Sequence, residues 1–121
     1  MSKRILVIED HEENRRILRY LLASAGYELI EAVTGEDGVA AAEKDRPDLI
    51  LMDIQLPGID GYDATRRIKG NPALRHIPII VVTSYALSGD DVKAFQAGCD
   101  AYVTKPFIPR ELLAKIREFL P

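Results

Sequence analysis

The stretch "LILMDIQLPGID", Leu49–Asp60, runs four apolar residues directly into a carboxylate. Asp53 ends the apolar run, and Pro57 and Gly58 interrupt the chain soon afterwards. Because the run does not alternate with polar residues, it predicts a strand that is covered on both faces. An ionised carboxylate is costly to bury without a partner. We therefore expect other polar groups close to the carboxyl end of this strand.

Two further apolar runs share this unbroken character, "ILVI" at Ile5–Ile8 and "IIVV" at Ile79–Val82. Runs of this kind are typical of strands inside a parallel sheet. Two weaker strand candidates, Tyr27–Ala32 and Ala101–Thr104, are expected at the edges of the same sheet.

Longer amphipathic segments lie between these runs and predict helices. They are Glu12–Ala25, Glu36–Asp45, Tyr62–Lys69, Gly89–Ala97 and the segment "PRELLAKIREFL" that begins at Pro109. The first of them carries an apolar stripe made of Ile17, Leu18, Leu21, Leu22 and Ala25, followed by Gly26. Strict alternation of strands and helices predicts an α/β fold with a parallel sheet and right-handed crossovers.

The bulk properties indicate one globular domain that spans residues 1–121, with 47% hydrophobic and 29% charged residues. A formal net charge of -3 gives no electrostatic reason to expect nucleic acid or an anionic membrane as a partner. The apolar run near the N-terminus is too short for a signal peptide, and no segment approaches the ~20 apolar residues of a membrane span. Cys99 is the sole cysteine, which excludes an internal disulfide and fits a reducing compartment. We expect a cytoplasmic protein.

Polar residues follow the predicted strands at their carboxyl ends, which is the edge where ligands bind in open parallel sheets. These residues are Glu9, Asp10, Asp53, Thr83, Ser84 and Lys105. Three neighbouring carboxylates repel one another unless a cation neutralises them. A set of oxygen ligands without a supporting imidazole or thiolate favours Mg²⁺.

This set of groups is suited to phosphoryl transfer. A carboxylate beside Mg²⁺ can attack a phosphoryl group while a lysine and a hydroxyl stabilise the transferred oxygens. A single domain of this length has no room for its own nucleotide site, so the phosphoryl donor is expected to be another molecule. Asp10 could also cap the helix that follows it.

Four motifs together resemble the receiver domain of bacterial two-component response regulators: "VIED", "DLILMDIQLPGIDG", "IPIIVVTSYA" and "GCDAYVTKPF". The resemblance covers essentially the whole chain and is strongest to receivers of the stand-alone, single-domain type. It implies a flavodoxin-like (βα)5 sandwich whose five parallel strands have the order 2-1-3-4-5. It also implies a phosphorylation-activated signalling switch that catalyses only its own phosphorylation and slow autodephosphorylation.

The resemblance implies the site residues as well. Asp53 is then the phosphoacceptor for a sensor histidine kinase or a histidine phosphotransfer protein. The residues that hold Mg²⁺ are then Glu9, Asp10, Asp53 and, through its backbone carbonyl, Gln55. Lys105 pairs with the phosphoryl group, and a cis peptide bond before Pro106 places it.

The same resemblance implies how the signal is passed on. Thr83 is the switch hydroxyl and Tyr102 the switch aromatic. A downstream protein is expected to bind the face formed by helix 4, strand 5 and helix 5, which comprises Ser88–Ala97, Tyr102 and Pro109–Phe119. We also expect Tyr85, a bulky residue near the site, to control the access of water to the phosphoryl group.

Other functions fit the residues less well or stay open. An aspartate-nucleophile phosphatase of the haloacid dehalogenase type needs a second aspartate at position 55, where this chain has Gln55. A Rossmann dinucleotide site needs glycines after the first strand, where this chain has "EDHEEN". A receiver cut from a hybrid histidine kinase and a degenerate receiver that serves as a docking module remain alternatives.

The remaining candidates are assigned structural roles. His11 and His76 have no ligand spacing, so neither is predicted to bind a metal. Cys99 is expected to be a small core residue. The loop after Asp53 is expected to be shaped by Gly58, Asp60 and Gly61.

Overall fold

Five strands alternate with five helices in the computed structural model, which describes residues 2–84 and 89–121. The strands are β1 Arg4–Ile8, β2 Glu28–Ala32, β3 Leu49–Met52, β4 Ile79–Thr83 and β5 Ala101–Thr104. The helices are α1 Glu12–Ser24, α2 Gly35–Asp45, α3 Gly61–Gly70, α4 Asp90–Ala97 and α5 Pro109–Phe119. The predicted alternation is confirmed. No helix within these residues is long and apolar enough to cross a membrane.

The strands form a parallel sheet in the order β2-β1-β3-β4-β5. β3 and β4 are buried along their whole length, whereas β2 and β5 lie at the edges and are partly exposed. The expected strand order and the expected edge positions are confirmed. Between β1 and β3 the direction of the strand order reverses, which is the point where ligands bind in sheets of this kind.

Helices cover both faces of the sheet and create two hydrophobic clusters. Because successive side chains of a strand point to opposite faces, β1 places Leu6 and Ile8 in one cluster and Ile5 and Val7 in the other. Buried residues of α2, α3 and α4 complete the first cluster, and those of α1 and α5 complete the second. This two-sided burial explains why the strands are uninterrupted apolar runs.

The buried stripe of α1 is narrower than the predicted one. Leu18 and Leu22 are buried, whereas Leu21 is half-buried and Ile17 is 54% exposed. A helix that packs on one face of a sheet buries only the positions that point at the sheet, and Ile17 lies to one side of them. The apolar stripe is therefore wider than the face that α1 buries.

The loop that joins β3 to α3 is shaped by three residues, as predicted. Gly58 adopts a left-handed conformation with φ of +78°, and the Asp60 side chain accepts a hydrogen bond from the first turn of α3. The amide of Gly61 donates to the carbonyl of Ile54 over 2.8 Å. This contact brings α3 so close to β3 that a Cβ atom on Gly61 would collide with the carbonyl oxygen of Asp53.

Gly61→Ala is expected to lower the free energy of unfolding by about 1–3 kcal/mol, because the colliding atoms belong to backbone that cannot move aside cheaply. The midpoint of urea unfolding measures the change. Gly70→Ala is the matched control at the other end of α3, since a Cβ there meets no heavy atom within 4 Å. Equal midpoints for the two variants would contradict the prediction.

Candidate functional site

Side chains from four strand ends meet at one edge of the sheet. Glu9 and Asp10 follow β1, Asp53 follows β3, Thr83 ends β4, and Lys105 follows β5. Glu9, Asp53 and Thr83 are only 2%, 7% and 0% exposed. In a parallel sheet all carboxyl ends lie on the same side, so the topology alone gathers these groups. The site therefore holds two buried carboxylates that need compensation.

Lys105 supplies the positive charge. Its Nζ lies 2.5 Å from Glu9 Oε1 and 3.4 Å from Asp53 Oδ2, so one ammonium bridges both carboxylates. The other oxygen of Asp53, Oδ1, accepts a hydrogen bond from the Ile54 amide over 2.7 Å, and Asp53 is also hydrogen-bonded by the Thr83 side chain. The carboxylate of Asp53 is thus held by three groups, from Lys105, Ile54 and Thr83.

The groups around Asp53 have opposing effects on the pKa of its carboxyl group. Burial raises the pKa of its carboxyl group above the ordinary value of 3.8, while the charge of Lys105 lowers it and the charge of Glu9 raises it. The hydrogen bond from Thr83 lowers the pKa as well. Because burial is the largest effect, the net pKa is raised, and the ionised form of Asp53 is held at a cost.

A divalent cation fits the remaining acceptors. Asp10 Oδ1 is buried and accepts no hydrogen bond within residues 2–84 and 89–121. A buried carboxylate oxygen without a donor is costly, and it is the kind of atom that a metal ion satisfies. Together with Glu9 and Asp53 it forms a set of oxygen donors that suits a hard cation such as Mg²⁺. Asp10 does not cap α1, because the N-cap residue is His11.

The side chain of His11 lies next to the acidic residues, which the absence of a metal-ligand spacing in the sequence did not indicate. Its Nδ1 is 3.3 Å from Glu9 Oε2 and 3.2 Å from Asp10 Oδ1, and these three side chains form a cluster that could hold a metal ion. The prediction that His11 is no metal candidate was wrong, because ligand spacing within a helix or hairpin does not apply to consecutive residues in a loop. The signal in the sequence is the adjacency itself, the tripeptide "EDH" at the end of β1.

Arg15 is a second residue that the sequence reasoning missed. Its Nη1 donates to the backbone carbonyl of Glu9 over 2.9 Å, and its Nη2 donates to Glu12 Oε2 over 2.6 Å. Arg15 therefore ties the first turns of α1 to the end of β1 and holds the acidic loop in place. A basic residue one turn into the helix after the acidic pair is the signal that could have found it.

An open cleft of about 850 Å³ runs beside the acidic residues. Asp10 and Gln55 both line it, so the residue predicted to offer a backbone carbonyl lies next to the acidic pair. Tyr62 and the basic residues Arg66 and Lys93 also line the cleft. The cleft gives a small molecule or a partner's side chain a path to the site.

The predicted switch residues lie on β4 and β5. Tyr102 pairs with Val81 in the sheet and is half-buried. Burial raises the pKa of its phenol, and the charges of Asp90 and Asp91 raise it further, so Tyr102 lies within the field of the first turn of α4. The peptide bond between Lys105 and Pro106 is cis. Tyr85 and Ser88 lie outside the residues that the structure describes.

Two of the residues that were assigned structural roles, Cys99 and His76, do not line the cleft beside the acidic residues. Cys99 is buried, and burial raises the pKa of its thiol to about 11, which fits the predicted core role. His76 is exposed on the segment between α3 and β4.

Comparison with known proteins identifies the class to which this fold and site belong. Residues 5–117 match the family described as the response regulator receiver domain, and the chain belongs to that family. It is 41% identical over 120 residues to the polar-differentiation response regulator DivK of Brucella anthropi, covering 99% of this chain and 98% of that relative. The predicted resemblance to two-component receivers is confirmed.

Two solved structures show the same similarity. The receiver domain of a sensor histidine kinase from Pseudomonas aeruginosa, with a magnesium ion coordinated in its active site cleft, is 38% identical with a TM-score of 0.92. A CheY-like receiver domain protein from Methanospirillum hungatei is 35% identical with a TM-score of 0.93. Each comparison covers 99% of this chain, and 98% and 94% of the respective structures.

Asp53→Asn is expected to raise the free energy of unfolding at neutral pH without divalent cations, by an amount on the order of 1 kcal/mol. The substitution removes a charge that burial disfavours and keeps the shape of the side chain. Since folding raises the pKa of Asp53, the parent loses stability as the pH rises through that raised value. The advantage of the variant should therefore vanish below pH 3.8, where the carboxyl group is protonated in both states.

Urea unfolding at several pH values in the presence of a chelator measures this difference. Asp37→Asn, an exposed site on α2, is the matched control and should show no advantage that grows with pH. A parent more stable than Asp53→Asn at neutral pH would contradict the prediction.

Proposed function

We propose that Asp53 accepts a phosphoryl group from the phosphohistidine of a sensor histidine kinase or a histidine phosphotransfer protein, and that residues 1–121 act as one receiver domain. One observation carries the proposal: a carboxylate that burial makes costly lies between a lysine and a hydroxyl, beside two further acids. The magnesium-containing receiver structure and the DivK relatives support it, since both belong to the same family.

The chemistry follows from the contacts. A carboxylate oxygen of Asp53 attacks the phosphorus atom, an O–P bond forms, and the P–N bond to the donor imidazole breaks with its electron pair moving to the nitrogen. Lys105, already 3.4 Å from Asp53 Oδ2, offsets the negative charge on the transferred oxygens. The Thr83 hydroxyl, which is hydrogen-bonded to Asp53, can donate to one of these oxygens. Mg²⁺ held by Glu9, Asp10, Asp53 and the Gln55 carbonyl supplies further charge neutralisation when bound.

The site favours storage of the phosphoryl group over its rapid removal. Hydrolysis of an aspartyl phosphate is fast when a second carboxyl group can transfer protons at the attacking water. Aspartate-nucleophile phosphatases have such a carboxyl group two residues after the nucleophile. This chain has Gln55 there, and its exposed amide cannot transfer protons in this way. We therefore infer a signalling protein whose catalysis is limited to its own phosphorylation and slow dephosphorylation.

The proposed switch couples the site to the fourth helix. Phosphorylation adds negative charge at Asp53 and draws Lys105 and Thr83 towards it. Tyr102 lies on the strand next to β4, packs against the first core cluster and is close to the first turn of α4. A shift of Thr83 at the end of β4 can thus change the packing of Tyr102 and α4.

The output is proposed to be contact with a downstream protein through the face of α4, β5 and α5, in the cytoplasm and without nucleic acid or membrane as partner. Val92 and Phe95 on α4 and Ile108 immediately before α5 are large apolar residues that are about half exposed. Two origins remain compatible with the comparisons, a stand-alone regulator like DivK and a receiver from a hybrid histidine kinase. A degenerate docking module is the alternative that the first experiment tests.

The parent protein is expected to gain one phosphoryl group, seen by intact mass, when it is incubated with Mg²⁺ and acetyl phosphate. Asp53→Asn should abolish the gain, because it removes the carboxylate that is in contact with both Lys105 and Thr83. Asp37→Asn is the control on an exposed carboxylate and should gain the group like the parent. No uptake by the parent would favour the docking module.

The same assay tests the expected role of Tyr85, which lies outside the described residues. After removal of acetyl phosphate, Tyr85→Ala is expected to lose the phosphoryl group several-fold faster than the parent, because we expect the bulky side chain two residues after Thr83 in the sequence to restrict the access of water. Loss at the parental rate would contradict the proposed role of Tyr85.

Phosphorylation of the parent is expected to shift amide resonances of α4 and β5, measured by ¹H–¹⁵N correlation spectra, in addition to those around Asp53. Tyr102→Leu should reduce the shifts in α4 by at least about half, because it removes the aromatic ring that lies near Asp90 and Asp91. Tyr20→Leu on α1, where the ring is 79% exposed, is the control and should leave the response intact. An undiminished response in Tyr102→Leu would refute this coupling.

A further inference from the structure

We propose that the imidazole of His11 is a ligand of the divalent cation at the acidic pair, so that the site discriminates in favour of transition-metal ions such as Zn²⁺ and Co²⁺. The inference rests on the proposed function in one respect, namely that Glu9 and Asp10 hold a divalent cation. It adds a nitrogen donor to a set that otherwise contains only oxygen.

The distances between the donor atoms are those of ligands on one metal ion. Two ligands at about 2.1 Å from a metal are roughly 3.0 Å apart in an octahedral site and roughly 3.4 Å apart in a tetrahedral one. His11 Nδ1 lies 3.2 Å from Asp10 Oδ1 and 3.3 Å from Glu9 Oε2. One atom of each side chain lies within 4.8 Å of the others. A cation can therefore contact these atoms without a change of the backbone.

The backbone fixes His11 at this position. Its amide donates to Glu9 Oε2 over 3.1 Å, and its carbonyl accepts from the Arg15 amide over 3.0 Å as the first turn of α1 begins. The side chain of His11 is 68% exposed, so an ion can reach Nδ1 from solvent. The backbone of His11 is thus held beside the acidic pair, and its ring is open to solvent.

Asp10 gives an independent reason for a ligand here. Its Oδ1 is buried and accepts no hydrogen bond within the part of the chain that the structure describes. The nearby ring of His11 lies within ion-pair range of this oxygen but makes no hydrogen bond to it. A metal ion between the oxygen and Nδ1 would satisfy the oxygen and would replace the hydrogen bond of 3.3 Å between Nδ1 and Glu9 Oε2.

The donor types predict the preference among cations. Imidazole suits Zn²⁺, Ni²⁺ and Cu²⁺, and affinity for a site of mixed nitrogen and oxygen donors rises along the divalent series towards copper. Mg²⁺ prefers oxygen and keeps several waters, so it gains little from an added imidazole. The contribution of His11 should therefore be large for Zn²⁺ and Co²⁺ and small for Mg²⁺.

Calorimetric titration of the full chain with Mg²⁺ and, separately, with Zn²⁺ tests the proposal. His11→Asn is expected to weaken Zn²⁺ binding about tenfold or more and to change Mg²⁺ binding less than twofold. His76→Asn is the matched control, since it removes the other, exposed histidine and should leave both affinities unchanged. The visible absorption spectrum of bound Co²⁺, which reports the ligand set directly, should change in His11→Asn and not in His76→Asn.

Two results would overturn the inference. An unchanged ratio of Zn²⁺ to Mg²⁺ affinity in His11→Asn would show that the ring is no ligand. Tighter binding of both cations by that variant would show that the imidazole only competes for the carboxylates. If the parent binds Mg²⁺ in either case, the proposed function stands and this inference alone fails, whereas a parent that binds neither cation refutes both.

Discussion

The ammonium of Lys105 lies between the carboxylates of Glu9 and Asp53, and this contact connects parts of the sheet that are not neighbours. Lys105 follows β5, Asp53 follows β3 and Glu9 follows β1, so the side chain reaches past β4 to two strand ends. Without it, two acids that are less than a tenth exposed would face each other uncompensated. The arrangement of the loops around the sheet edge depends on keeping this one cation in place.

The loops that follow β1 and β3 hold Glu9 and Asp53 where Lys105 can contact both. Gly61 brings α3 against the backbone at Asp53, which leaves no space for a Cβ atom. Arg15 holds the carbonyl of Glu9 from the opposite side, so the acidic loop after β1 is fixed by α1. The site is thus held by contacts from α1 and α3, while the cleft lined by Gln55 is open to solvent.

The sequence predicts the fold well because it contains three uninterrupted apolar runs, Ile5–Ile8, Leu49–Met52 and Ile79–Val82. Their short length and their bounding polar residues favour strands buried on both faces. The strand order came from the family resemblance and not from the runs themselves. Helical periodicity could not predict that Ile17 is exposed. It locates the apolar side of a helix but does not show how much of that side the sheet covers. The position of His11 depends on the backbone of a loop, which residue spacing does not encode.

Two opposing requirements meet at Asp53. In its proposed role as nucleophile Asp53 must be ionised, but burial raises the pKa of its carboxyl group, and Glu9 adds to the rise. A bound cation and Lys105 favour the ionised form, so metal binding and readiness for attack are linked. In the proposed transfer the site gains negative charge in the same small volume, and Lys105 and Thr83 are in contact with the carboxyl group that receives it. In the proposed switch, the electrostatic cost of that added charge is therefore the driving force for the movement of β4, Tyr102 and α4.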